Sequence, residues 1–260
     1  GGRQFNRKVL TTHKDPSQAV IDGLDTLVEA GELDLASTTR VVHATTLFTN
    51  ALVERRGAET GLITTEGFRD TLEIGRERTY GLYDVTIRKP EPLVPRVRRI
   101  EVSERVTAEG DIKQPLDLDS LKAAAESLIA NGVKSVAVVF LHSYCNPEHE
   151  KEAIEFLRKK YPELSLTASS DVAPEIREFE RASTATANAY IKPLAENYLD
   201  SLATKIAGKG TRAPLHLMIS SGGLTHVAEA KRTPVQMLES GPAAGALAGA
   251  FFGREDASGN

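Results

Sequence analysis

The chain has 260 residues, 40% hydrophobic and 26% charged, with 32 basic against 36 acidic side chains and a net charge of −4. This ordinary globular mixture is long enough for one large domain or two modest ones. The interspersed signs exclude the clustered basic surface of a nucleic-acid binder. The longest apolar run, SVAVVFL at 135–141, is too short to span a membrane, and the single cysteine, Cys145, excludes an internal disulfide and favours a reducing, cytoplasmic setting.

RKVLTT (7–12) reads as a strand. DPSQAVIDGLDTLVEAG follows as a helix, with Asp15 as N-cap, Pro16 at the first position and Gly31 as the stop. TRVVHAT (39–45) is a strand, LFTNALVERRG a helix closed by Gly57, ETGLITT (59–65) a strand, and EGFRDTLEIG (66–75) a short helix. RKPEPLVPRV carries three of the 12 prolines and makes residues 76–97 an extended ordered loop. RRIEVSERVTAEGDI alternates about Glu109-Gly110-Asp111 and predicts a hairpin. DLDSLKAAAESLIANG is a capped helix, VKSVAVVFL a strand buried on both faces, NPEHEKEAIEFLRKKYP a capped helix and ELSLTAS a strand. A helix spans 174–207 with a kink or break at Pro193. PLHLMISS (214–221) is a strand running into Gly222-Gly223, and ESGPAAGALAGAFFG a turn at Gly241-Pro242 followed by a helix. The alternation predicts an α/β architecture with at least one mostly parallel sheet.

Four segments bear on chemistry. His43, Thr45, Thr46, Thr49 and Asn50 gather where a strand gives way to a helix. Such a place suits an oxygen-rich or anionic ligand, but equally a helix cap beside a satisfied core histidine. Glu175, Glu178 and Arg181 share a helical face, either to orient a polar substrate or as an exposed ion-pair row. ISSGGL and SGPAAG fit neither dinucleotide nor Walker spacing; their glycines permit close backbone approach or a tight turn. FLHSYCNPEHE groups His142, Cys145 and His149 without a clear carboxylate partner, so no metal site is expected, and nothing marks Cys145 as a nucleophile.

Together these segments resemble one family. VVHATTLFTNALVERRGAETGLITTEGFRDTLEIGRER is similar to the hydantoinase A / 5-oxoprolinase signature, and FLHSYCNPEHE, PEIREFERASTATANAYIKP, ISSGGL and SGPAAG match further family segments in the same order, from about residue 7 to 253. The resemblance implies an actin/sugar-kinase-like (ribonuclease H-like) ATPase-type fold, incomplete, with mixed sheets and flanking helices. It implies a hydantoinase/oxoprolinase N-terminal domain over 1–172 and the start of a hydantoinase A domain over 173–260. It also implies ATP- and Mg2+-dependent opening of a lactam or hydantoin ring through carbonyl phosphorylation, with an ATP-dependent ketone carboxylase subunit or a non-catalytic isolated domain as alternatives.

Implied catalytic residues are His43, Arg69, Asp70, Glu178 and Arg181. Implied substrate- or nucleotide-binding residues are Thr45, Thr46, Asn50, Arg76, Ser221, Gly222, Gly223, Gly241 and Gly245. The family's two D-x-G-G-T phosphate segments have no match here, Ala44 replaces a glycine, and Ser221 stands where Asn is common. The chain is therefore expected to be a fragment that does not bind ATP productively by itself. Its expected partners are the remainder of a hydantoinase A chain, a hydantoinase B-type subunit and a small cyclic amide, with neither nucleic acid nor membrane, and self-association is left open.

Overall fold

The computed structural model describes residues 3–12, 14–76, 83, 86 and 89–258. In chain order the elements are α1 (Pro16–Glu29), β1 (Val41–His43), α2 (Leu47–Val53), β2 (Thr60–Thr65), α3 (Thr71–Ile74), β3 (Arg99–Val102), β4 (Arg105–Val106), β5 (Ile112–Gln114) and α4 (Leu118–Ala130). They continue as β6 (Ser135–Val139), α5 (Glu148–Lys160), β7 (Ser165–Ala168), α6 (Ser169–Val172), α7 (Glu178–Gly208), β8 (Leu215–Met218), β9 (Leu224–His226), α8 (Val227–Arg232) and α9 (Ser240–Ser258). Two compact units result, one of Asn50–Pro193 and one of Gly1–Thr49 with Leu194–Asn260.

The unit of residues 50–193 is built on a parallel sheet of order β3-β2-β6-β7. Every residue of β2 and β6 is buried, because both faces are covered. On one face Leu121, Leu128, Ala153 and Leu157 from α4 and α5 pack on Ile63, Val136 and Val138. On the other, Ala182, Ala185 and Ala189 of α7 meet Leu62, Ala137 and Val139. Each large aliphatic buried this way contributes about 1.5–3 kcal/mol. The caps are as predicted for α1 and α4, whose Asp15 and Asp117 carboxylates accept from the backbone N–H groups of Ser17 and Asp119. The hairpin about Gly110 forms from β4 and β5, whereas RIEV (99–102) leaves it to pair with β2.

The other unit holds a mixed three-stranded sheet of order β1-β8-β9. β1 runs parallel to β8 with His43 opposite Leu217, and β9 returns antiparallel to β8.

Several expectations need correction. Residues 7–12 form no strand; they pair with no described strand, and a strand without a ladder partner leaves its N–H and C=O groups to water. Residues 174–177 lie outside α7, so Glu175 does not share a helical face with Glu178 and Arg181. Gly241 and Pro242 sit inside the first turn of α9 rather than in a turn before it, since proline's fixed φ and missing N–H suit a helix start. The loop expected at 76–97 falls partly outside the described residues.

Pro193 does not break α7, which runs on to Gly208. Proline removes the N–H that would bond Ala189 O, and the Ser135 hydroxyl donates to that carbonyl instead (2.7 Å). The next carbonyl, Tyr190 O, accepts from Ala58 N (2.9 Å). This approach demands glycine at 57, where a Cβ would lie 2.1 Å from the Tyr190 ring and 2.6 Å from its carbonyl oxygen.

Candidate functional site

The parallel pairing of β1 with β8 brings two predicted segments to one sheet edge, HATT leaving β1 and ISSGGL leaving β8. The start of α9 packs on the first of them: Ser240 Oγ donates to Thr45 O (3.4 Å), Glu239 N to Thr49 Oγ1 (3.4 Å), and a Cβ on Gly241 would sit 3.8 Å from the Thr46 methyl. Further along α9, Leu247 lies beside Gly222 of the second. Glu239 adopts a left-handed φ of 57° to start this turn. Thr45, not Thr46, caps α2, accepting from Leu47 N (3.1 Å). Thr46 is exposed, as is Ala44, so the extra methyl at 44 meets no packing constraint.

Tyr198, on α7, was not signalled by sequence because 155 residues separate it from its partner. Its hydroxyl lies 2.8 Å from His43 Nε2, and both rings pack close, at 5.8 Å between centroids. Burial lowers the His43 pKa to about 4, so the imidazole is neutral at physiological pH. Burial likewise raises the Tyr198 phenol to about 12, and the Thr45 hydroxyl beside it works against that rise. His43, Thr45, Thr46, Ser221, Gly222, Gly223 and Gly241 thus share one region, with Gly245 one turn further along α9. Gly222 has φ 84° and closes the β8–β9 turn, where Ile219 N donates to Gly223 O. Asn50 is exposed on α2 and begins the other unit.

The remaining predicted residues lie in the unit of residues 50–193 and are engaged with protein groups. Asp70 is held by both Arg96 Nε (2.8 Å) and Nη2 (3.0 Å), and this guanidinium lowers its pKa. Arg69 donates to Arg96 O, and Arg76 pairs with Glu180. Arg181 is 1% exposed, which overturns an exposed ion-pair row; it donates to Phe140 O (2.7 Å) and Glu175 O (3.2 Å) and stacks over Tyr144. Glu178 lines a small cavity with Arg181, Phe68 and Thr71.

FLHSYCNPEHE is tied down almost residue by residue. His149 Nδ1 lies 2.7 Å from the buried Glu104 carboxylate, which also accepts from Thr65 Oγ1. Glu150 accepts from Phe140 N, Ser169 Oγ and Ser170 N, and Asn146 donates to Gly110 O. Cys145 is exposed. Among the described residues no three His, Cys, Asp or Glu side chains converge as a metal site, and no helix is long and apolar enough to cross a membrane.

Residues 3–161 match the family model described as hydantoinase/oxoprolinase N-terminal region, and residues 181–260 the model described as hydantoinase/oxoprolinase. An uncharacterized protein of Methanocaldococcus jannaschii is 39% identical over 95% of this chain and 36% of its own length. The caprolactamase subunit alpha of Pseudomonas jessenii is 31% identical over 93% of this chain and 36% of its own. The crystal structure of the ATP-dependent caprolactamase from that organism superposes with a TM-score of 0.83 at 30% identity, covering 94% of this chain and 37% of that one. Nucleotide-free acetone carboxylase, from work on ATP-dependent acetone carboxylation, superposes with a TM-score of 0.84 at 27% identity, covering 95% and 37%. The chain spans about a third of the length of the curated relatives it matches.

Proposed function

The chain belongs to the hydantoinase/oxoprolinase family, and on that premise we propose that it forms part of an ATP-dependent hydrolase of cyclic amides. The observation that carries this reading is the convergence of His43, Thr45, Thr46 and the first turn of α9 at one sheet edge. A lactam carbonyl is a poor electrophile, and transfer of a phosphoryl group to its oxygen makes ring opening by water feasible. Such a transfer needs positioned donors more than covalent help.

The residues present suit a phosphate. The α9 start offers the Gly241 N–H without a Cβ in front of it, and Thr46 offers an exposed hydroxyl. A consistent donor order runs from Leu47 N to Thr45 Oγ1, from Thr45 to Tyr198 Oη, and from Tyr198 to His43 Nε2. It leaves the His43 proton on Nδ1, as a neutral donor toward oxygen that gains negative charge. The described residues offer no ligand set for Mg2+, so no step is assigned to it.

The actin/sugar-kinase-like assignment belongs to the same proposal, supported by a parallel sheet covered by helices on both faces and a second, mixed sheet. Two family regions meeting near residue 172 are supported by the gap between the two family models, while the compact units divide instead at Asn50 and Pro193. A B-type partner subunit is supported by relatives that are themselves subunits, and a reducing, cytoplasmic setting by the lone exposed Cys145.

The test uses lactam labelled with 18O at the carbonyl, ATP and the complete protein. Label appearing in inorganic phosphate supports ring opening by carbonyl phosphorylation, whereas phosphate free of label rejects it. The acetone carboxylase similarity favours one second reading, a ketone carboxylase. That reading predicts ATP turnover that requires bicarbonate and a ketone and ignores lactams.

A further inference from the structure

An open cleft of about 710 Å3 lies beside the β4–β5 hairpin, lined by Arg105, Val106, Thr107, Lys113, Gln114, Leu141 and His142. Two of these carry positive charge and none is acidic. A smaller basic cleft of about 480 Å3 around Arg99 contains Glu59 and Glu73, whose carboxylates already pair with Arg98 and Arg99. The cleft beside the hairpin stands at the carboxyl end of β6, where open α/β sheets take their ligands.

His142 is unusual in two independent ways. Its backbone has φ 57°, a left-handed conformation that disfavours residues other than glycine. Its Nδ1 is buried with no hydrogen-bond partner. The neighbouring residues of the same segment are satisfied within the protein. Leu141 N donates to Thr65 Oγ1, Ser143 meets Ser169, Asn146 binds Gly110 O, and His149 pairs with Glu104. Those bonds fix the loop and hold His142 in its strained backbone, while its own ring is left unsatisfied. The ring meets Tyr144 edge to face, 6.0 Å between centroids, a contact that any aromatic ring could make and that leaves Nδ1 unpaired. Strained backbone that the surrounding bonds over-determine clusters at ligand-binding sites.

We propose that His142, Arg105 and Lys113 form a binding site for a small oxyanion, a carboxylate or phosphate group. A ring N–H of His142 and the two cations hydrogen-bond its oxygens. Arg105 is pre-set for this, its Nη2 donating to Glu66 O (2.9 Å) and its guanidinium stacked over Phe68 at 5.3 Å. Lys113 is exposed and brings a mobile charge. The site is independent of the proposed phosphate region, being lined only by residues of the unit 50–193.

His142→Gly makes the test clean, because glycine accepts this φ and its substitution leaves the fold intact or more heat-stable. The imidazole resonances of His142 are followed by NMR while the chain is titrated with inorganic phosphate, with 5-oxoprolinate, and with neutral caprolactam. The expected result is a saturable shift with one or both anions and none with caprolactam. Phosphate or 5-oxoprolinate acting alone identifies the source of the oxyanion. Isothermal titration should show binding about tenfold or more weaker in both His142→Gly and Arg105→Gln, with the unfolding midpoint of His142→Gly unchanged or raised. Absence of a shift with both anions overturns the proposal, as does undiminished affinity in His142→Gly.

Discussion

A neutral imidazole at the end of β1 follows from burial rather than from any charged neighbour. In the unfolded chain His43 titrates near its ordinary value of 6.5, and in the fold it titrates near 4. Between those values the unfolded state binds a proton that the folded state refuses. Stability from this group is therefore complete above about pH 6.5 and is lost as pH falls toward 4. The difference between pH 7.5 and pH 5 is about 2 kcal/mol. Urea unfolding of the parent and of His43→Gln at both pH values should show that increment in the parent alone. In the complete protein, His43→Ala is expected to lower turnover by about tenfold or more without unfolding the chain. Circular dichroism beside steady-state kinetics checks both halves. His43, Thr45 and Thr46 could be singled out in the sequence because small hydroxyl residues crowd a strand exit. Tyr198 could not, since its contact with His43 is made only by the packing of α7 beside β1.

Elements with strong local signals were the legible ones. Val, Ile and Thr runs marked β2 and β6 as strands, β6 as one buried on both faces, and Asp15 and Asp117 marked the starts of α1 and α4. The misread at Pro193 has a non-local cause. The carbonyl it orphans is rescued by Ser135, 54 positions away, which no reading of the helix alone reveals. Ser135→Ala should leave Ala189 O buried and unsatisfied and destabilise the chain by about 1–3 kcal/mol, measured by denaturant unfolding. Pro193→Ala in the Ser135→Ala background should recover most of that loss, because residue 193 would again donate to Ala189 O. The segment at 7–12 failed for the opposite reason. Its strand-like composition is real, but composition does not supply a pairing partner.

At the scale of the whole molecule, two α/β units each place chemically rich loops at the carboxyl edge of their own sheet. One edge gathers small hydroxyl and glycine residues, the other cations and a strained histidine. Arg69, Asp70 and Arg181 were legible as unusual residues, but their bonds to Arg96, Phe140 and Glu175 are made by the fold and sequence spacing does not disclose them. The central claim is that the edge formed by His43, Thr46 and the start of α9 receives a phosphate group. Gly241→Ala tests it most directly, because the added methyl meets Thr46 at an ordinary 3.8 Å and the fold can accept it. The measurement is the KM for ATP of the complete protein, parent against Gly241→Ala. A rise of about tenfold with an unchanged unfolding midpoint is predicted from the lost approach of the charged phosphate to one backbone N–H donor. An unaltered KM in the folded variant would contradict the account.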